Sequence, residues 1–243
     1  MDVLSSETPV HDYRLVVAPA LVVFTEAVVR NLTDFVQSGG TLVLTVRCGQ
    51  KDAFNALFPA LQPGPLRALA GVEVEDYYAL DEPAPVKAEW SGAMMGESQL
   101  WAERLRPIAD NVQQLAHFGE SNGWLDGGIA VTRRAVGDQG GQVVYVGAIL
   151  NQELQESLTG WLLQLAGVQP VWGGLPAGVE SGRRVAEDGR QVLILINHNR
   201  QSRSAPLGEK APPGYVWKDL LTGEEFAASI PLAPYGVRMF GSV

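Results

Sequence analysis

Cys48 follows the apolar run Thr41 to Val46 directly and precedes Gly49. A cysteine at the C-terminal end of a buried strand can act as a nucleophile. It then needs a histidine base, but His11, His117 and His198 are scattered and none is adjacent to it in sequence. The residues alone read as an ordinary semi-buried cysteine. Gly119-Glu120-Ser121-Asn122-Gly123 matches the G-x-S-x-G nucleophile elbow, a motif that needs a strand before it and a helix directly after. Here Trp124-Leu125-Asp126-Gly127-Gly128 follows, then a strand, so the stretch reads as a polar surface loop. Asn197-His198-Asn199 closes a strand and reads as a turn cap, because no two further ligands are spaced to complete a metal site. Gly39-Gly40 precedes a strand instead of opening a helix, which excludes a phosphate loop. The carboxylates are dispersed and no spacing singles out a pair. Trp90, Trp101, Trp124, Trp161, Trp172 and Trp217 include candidates for sugar stacking, although core or interface packing accounts for most of them. The expectation is a chain without catalytic, cofactor-binding or metal-ligating residues of its own.

The elements that would position these groups are legible in outline. Tyr13 to Ala18 reads as a strand, carrying the short apolar run Leu15 to Pro19. Thr25 is a candidate N-cap, and Val28, Val29, Leu32, Phe35 and Val36 recur at helical spacing. Ser38-Gly39-Gly40 stops that helix, and Thr41 to Val46 is a β-rich run apolar on both faces. Strand, helix, glycine stop and buried strand make a βαβ unit, which predicts a parallel sheet covered by helices. Asp2-Val3-Leu4 reads as a further strand ahead of it. Cys48 to Gly71 is irregular, with a turn at Pro63-Gly64-Pro65 and a helical turn over Leu66 to Leu69. From Val72 the pattern is one of short strands: Val72 to Glu75, Val86 to Ala88, Gln99 to Leu105, Val112 to Phe118, Ile129 to Arg133 and Gln142 to Val146. Glu153 to Leu165 is an amphipathic helix ended by Gly167 and Pro170. Dense Pro and Gly over Pro170 to Gly178 mark a boundary. Beyond it the pattern is all β, in strands Val179 to Val185, Gln191 to Asn197, Tyr215 to Asp219, Phe226 to Pro231 and Val237 to Phe240.

Composition limits the partners. Hydrophobic residues make up 46% of the 243, so a packed core is expected and disorder is not. The net charge of −9 argues against nucleic acid or an anionic membrane as partner. No apolar run approaches the roughly 18 residues of a membrane span. Met1 to Ser5 has neither the basic nor the apolar region of a signal peptide. The single cysteine excludes an internal disulfide and gives no sign of an oxidising compartment, so the expected location is cytoplasmic.

Several motifs, in order, resemble one family. Tyr13 to Leu21, Phe35 to Leu44, Pro63 to Leu66 with Leu69 to Val74, and Gly128 to Arg133 with Gly141 to Gly147 resemble the trimerisation domain of glycoside hydrolase family 42 β-galactosidases. Arg184, Val192 to Ile196 with Asn197-His198, Asp219 to Gly223, and Leu232 to Val237 resemble that family's C-terminal β domain. The resemblance implies an α/β middle domain over residues 1–170. Its parallel sheet would be of the class I glutamine amidotransferase-like (flavodoxin-like) kind, truncated at its first strand and helix. A small all-β antiparallel domain would cover residues 171–243. It also implies a homotrimer, and a retaining β-galactosidase activity in a (β/α)8 barrel that this segment lacks. Retaining hydrolysis needs two carboxyl groups about 5–5.5 Å apart. The family's clan takes its acid/base from an Asn-Glu pair, and no such pair occurs here. The expected role is therefore assembly of a β-galactosidase, with no cofactor and no catalytic residue carried over. Two alternatives stand beside it: a cysteine-dependent amidotransferase-like enzyme built on Cys48, and a carbohydrate-binding module using Trp217 or Tyr215.

Overall fold

Thr25 starts the first helix as its spacing predicts: its hydroxyl accepts from the backbone N–H of Val28. In the computed structural model, which describes residues 2–121, 123–206, 216–227 and 229–241, that helix is α1 (Glu26–Gln37). It follows strand β1 (Leu15–Ala18) and leads into β2 (Thr41–Thr45). Gly39 ends it at φ +100°, a conformation costly for any residue with a Cβ. After a 3-10 turn (Gly64–Leu66) come α2 (Arg67–Ala70), β3 (Val72–Ala79), β4 (Ala84–Ala88), β5 (Met94–Pro107) and β6 (Val112–Phe118). β7 (Ile129–Val136), β8 (Gly141–Val146), β9 (Ala148–Leu150) and α3 (Gln152–Leu165) complete a compact unit spanning 1–168.

Among the described residues these strands form one mixed, nine-stranded sheet, ordered β1-β2-β8-β7-β6-β4-β5-β3 with β9 on β5. Only β1, β2 and β8 run parallel to one another; the other named pairings are antiparallel. The wholly parallel sheet suggested by the βαβ unit is thus confined to three strands. From β3 to β8 the chain turns back on itself through connections too short for crossover helices, and short connections join antiparallel neighbours. Asp2 to Leu4 is not a strand: it is exposed, with Val3 at 93% exposure. The Asp2 carboxylate accepts from the Tyr13 hydroxyl instead. An apolar pair without a sheet edge beside it gains nothing by becoming extended.

β2 and β8 lie between two helices, and their side chains alternate accordingly. Leu42, Leu44, Val143 and Tyr145 join the core with Val28, Leu32, Phe35 and Val36 of α1. Val43, Val144 and Val146 join the core with Leu154, Leu158 and Leu162 of α3. Burying each such side chain stabilises by roughly 1.5–3 kcal/mol, an upper estimate. Gly141 permits the approach of α1, because a Cβ there would overlap the Val36 carbonyl oxygen.

The second compact unit, 169–243, has β10 (Val179–Val185), β11 (Gln191–Asn197), β12 (Arg203–Pro206), β13 (Trp217–Lys218), β14 (Glu225–Phe226), β15 (Ser229–Leu232) and β16 (Val237–Gly241). The pairings β10-β11-β16, β12-β15 and β13-β14 are all antiparallel. The run expected from Phe226 to Pro231 divides into β14 and β15. Its core holds Trp172, Leu195, Ala205, Trp217, Ile230, Leu232 and Phe240. Buried Asp219 ties this unit together, accepting from the amides of Leu221 and Met239, the Thr222 hydroxyl and the Arg238 guanidinium.

Candidate functional site

In sheets with parallel strands, ligands gather beyond the strands' carboxyl ends. Here that edge is the loop after β2, which carries Arg47 and Cys48. Its backbone is tightly tied: the Cys48 amide donates to Thr45 O, and the Gly49 amide to Leu21 O. Arg47 sits at φ +66°, an uncommon conformation for a residue with a long side chain.

The Cys48 side chain is fully buried and donates to the carbonyl of Ala18 at 3.1 Å. Burial pushes its thiol up to about 11, so it is protonated at neutral pH. A nucleophilic cysteine needs the opposite shift. In the same unit His117 bonds Gln114 and His11 lies beside Asp12, while His198 of the second unit pairs with Glu180. The Ser121 amide donates to Asp126 in the loop before β7, with no helix after it to build an elbow. Asn122, the fourth residue of that motif, lies outside the described residues, as does Tyr215. Trp217 is only 7% exposed and packs against Trp172 and Phe240, at 5.0 and 5.4 Å between ring centres, so it offers no open stacking platform. Asn197 and Asn199 cap the turn after β11 as the sequence suggests: Asn197 donates to Gln201 O and Ala233 O, and accepts from the Asn199 amide. Among the described residues no group of three or more His, Cys, Asp or Glu side chains is arranged to hold a metal ion.

The residue that organises the strand edge is Glu103 of β5, wholly buried. One carboxylate oxygen accepts from the Arg47 amide at 2.8 Å and from the Trp101 indole N–H at 3.2 Å. The other accepts from the Tyr145 hydroxyl at 2.9 Å. Burial raises the Glu103 carboxyl above its ordinary value, against these three donors and the nearby Arg47 charge. Burial and the adjacent Glu103 raise the Tyr145 hydroxyl as well. Outside this buried layer Tyr77 stacks on Trp101 at 5.2 Å, and the Arg47 guanidinium lies 5.2 Å over the same indole. Of this group the sequence singled out Trp101 alone, as one of six tryptophans. Its members come from β2's exit loop, β3, β5 and β8, and only the sheet order brings them together.

Fold and site together define a mixed α/β domain whose strand-edge loop is locked by a buried carboxylate, followed by a small antiparallel β unit. A family model for the β-galactosidase trimerisation domain matches residues 1–169, and the chain belongs to that family. It is 36% identical over 169 residues to the β-galactosidase BgaH of Haloferax lucentense, covering 70% of this chain and 24% of that protein. It is 31% identical over 244 residues to the β-galactosidase BglY of Alicyclobacillus acidocaldarius, covering 98% of this chain and 34% of that one. Among solved structures, the polyextremophilic β-galactosidase of Halorubrum lacusprofundi superposes over 99% of this chain and 33% of its own, with a TM-score of 0.79 and 31% identity. The β-galactosidase of Bacillus circulans sp. alkalophilus shares the fold over 99% of this chain and 34% of its own, with a TM-score of 0.85 at 23% identity. The chain thus spans about a quarter to a third of the length of these relatives.

Proposed function

We propose that this chain is the assembly portion of a family 42 β-galactosidase: it holds copies of the enzyme together as a trimer and leaves galactoside cleavage to another part of the polypeptide. The observation that carries this reading is the match of the trimerisation-domain family over 1–169, which coincides with the compact unit 1–168. On this reading residues 1–170 are the trimerisation domain and 171–243 an accessory β domain. The parallel strands β1, β2 and β8, sandwiched between α1 and α3, support kinship of the first with flavodoxin-like, glutamine amidotransferase-like sheets. Terminal β-galactosides would be the substrate of the whole enzyme only, and a reducing, cytoplasmic location suits a lone free thiol. The closed environment of Cys48 speaks against an amidotransferase and that of Trp217 against sugar binding. No helix among the described residues is long and apolar enough to cross a membrane. Sedimentation equilibrium on the purified chain tests the reading: a trimer supports it, and a monomer at every concentration refutes it.

A further inference from the structure

Successive residues of β2 face opposite sides of the sheet: Leu42 and Leu44 pack with α1, and Val43 packs with α3. Thr41, the first residue of the strand, shares the face of Val43. It is 3% exposed, and among the described residues its hydroxyl has no hydrogen-bond partner. A hydroxyl buried that deeply without a partner costs free energy and is uncommon. The Thr41 side chain lines a cavity of about 340 Å³, walled in part by the bare backbone of Gly39, Gly40 and Gly140. Arg14 lines the same cavity, held there because the Thr41 amide donates to the Arg14 carbonyl just ahead of β1.

Charge and hydrogen-bond supply define what the cavity takes. Arg14 donates through one guanidinium nitrogen to the Gly167 carbonyl at 2.8 Å, and among the described residues it forms no ion pair. Among the described residues no Asp or Glu lines the cavity; His11 does, 3.5 Å from Asp12. In a chain of 27 acidic and 18 basic residues, an acid-free cavity around an unpaired guanidinium runs against the composition. The helix ends beside it offer little to a cation, because their carbonyls are already used. Those of Asp34, Phe35 and Val36 accept from the amides after α1, and those of Leu162, Leu163 and Gln164 from the amides after α3. A guanidinium fork beside a hydroxyl donor is a donor set that recognises carboxylate or phosphate oxygens. We infer that Arg14 and Thr41 form a binding site for a small oxyanion, with the guanidinium and the buried hydroxyl both donating to its oxygens. The volume lies at the low end of ligand pockets, about 300–1,000 Å³, which suits free phosphate or a short carboxylic acid. This site stands apart from the assembly role, and its test reads binding instead of oligomeric state.

The full chain is titrated with sodium phosphate and, separately, with sodium acetate, against sodium chloride at equal ionic strength. Calorimetry is expected to give a dissociation constant on the order of 1 mM for at least one of the two, and the tighter one tells a tetrahedral from a planar ligand. Thr41→Val keeps the shape and removes the unpartnered hydroxyl. It is expected to melt at or above the wild-type midpoint and to bind about 10-fold more weakly. Arg14→Lys keeps the charge, loses the fork and is expected to weaken binding as well. Amide and guanidinium resonances of the wild-type chain give a reading that needs no variant: those of Arg14 and Thr41 should move along the titration. Failure of both anions to bind beyond chloride overturns the site. So does binding unaltered in Thr41→Val, or resonance shifts centred elsewhere on the chain. The oligomeric state of the chain bears on none of these outcomes.

Discussion

The Arg47 amide donates to the Glu103 carboxylate across 56 residues of sequence, and this one bond fixes the loop after β2 to the middle of β5. Glu103 accepts on its other oxygen from Tyr145, so the carboxylate works as a clamp that ties β8 to the same loop.

Removal of the clamp should be costly. Glu103→Ala strands three donors, the Tyr145 hydroxyl fully buried and the other two partly so, and is expected to lower stability by about 3 kcal/mol. Glu103→Gln, which preserves most of the hydrogen bonds, should cost less. Urea unfolding followed by far-ultraviolet circular dichroism measures both. Equal losses for the two variants would mean that the side chain acts through its volume and not its hydrogen bonds.

The same residue sets a pH dependence. Its carboxyl is raised in the folded state, so the folded chain holds the proton more tightly than the unfolded one. The associated stability is fully present below roughly pH 4.3, the ordinary glutamate value, and is lost as pH rises through the raised folded value. Subtracting the unfolding free energies of Glu103→Gln from those of the wild type, pH by pH, should show the wild type losing ground across that window. A difference that stays flat would remove the raised carboxyl from the account.

Asp219 behaves in the opposite sense. Burial pushes its carboxyl up, but the hydrogen bonds from Arg238, Met239, Thr222 and Leu221 prevail and hold it at about 2. Its contribution is present above roughly pH 3.9, the ordinary aspartate value, and is lost as pH falls toward the folded value. Asp219→Ala leaves Glu224 as the one carboxylate paired with Arg238 among the described residues and is expected to destabilise the second unit by about 3 kcal/mol. Fluorescence of Trp172 and Trp217 reports that unit, and an unchanged unfolding midpoint would show the network to be dispensable.

How much of this was legible in the residues differs by level. Thr25, the apolar positions of α1 and the Gly39-Gly40 stop are local signals, and the helix they predict is present. Val179 to Val185 and Gln191 to Asn197 were readable because alternation and a short turn are also local. Strand direction was not, since β8 returns to lie parallel beside β2 after about a hundred residues of antiparallel excursion. Asp2 to Leu4 misled because an apolar pair signals a strand only if an edge exists to receive it. The Glu103 clamp was invisible for a related reason: one carboxylate among 27 acidic residues becomes special only when β5 places it inside.

Cys48 should be inert at neutral pH. A thiol pushed up to about 11 is ionised to roughly one part in ten thousand at pH 7. Iodoacetamide should label the folded chain far more slowly than free cysteine, and at the free rate only after denaturation. Fast labelling of the folded chain would restore Cys48 as a nucleophile.

On the proposed function this chain assembles an enzyme without performing its chemistry. The most direct measurement takes one preparation, weighs it by sedimentation equilibrium and assays it with a chromogenic β-galactoside. A particle of three times the 26.1 kDa chain mass, with no turnover above a mock purification, is expected. A monomer that hydrolyses the galactoside would contradict it on both counts.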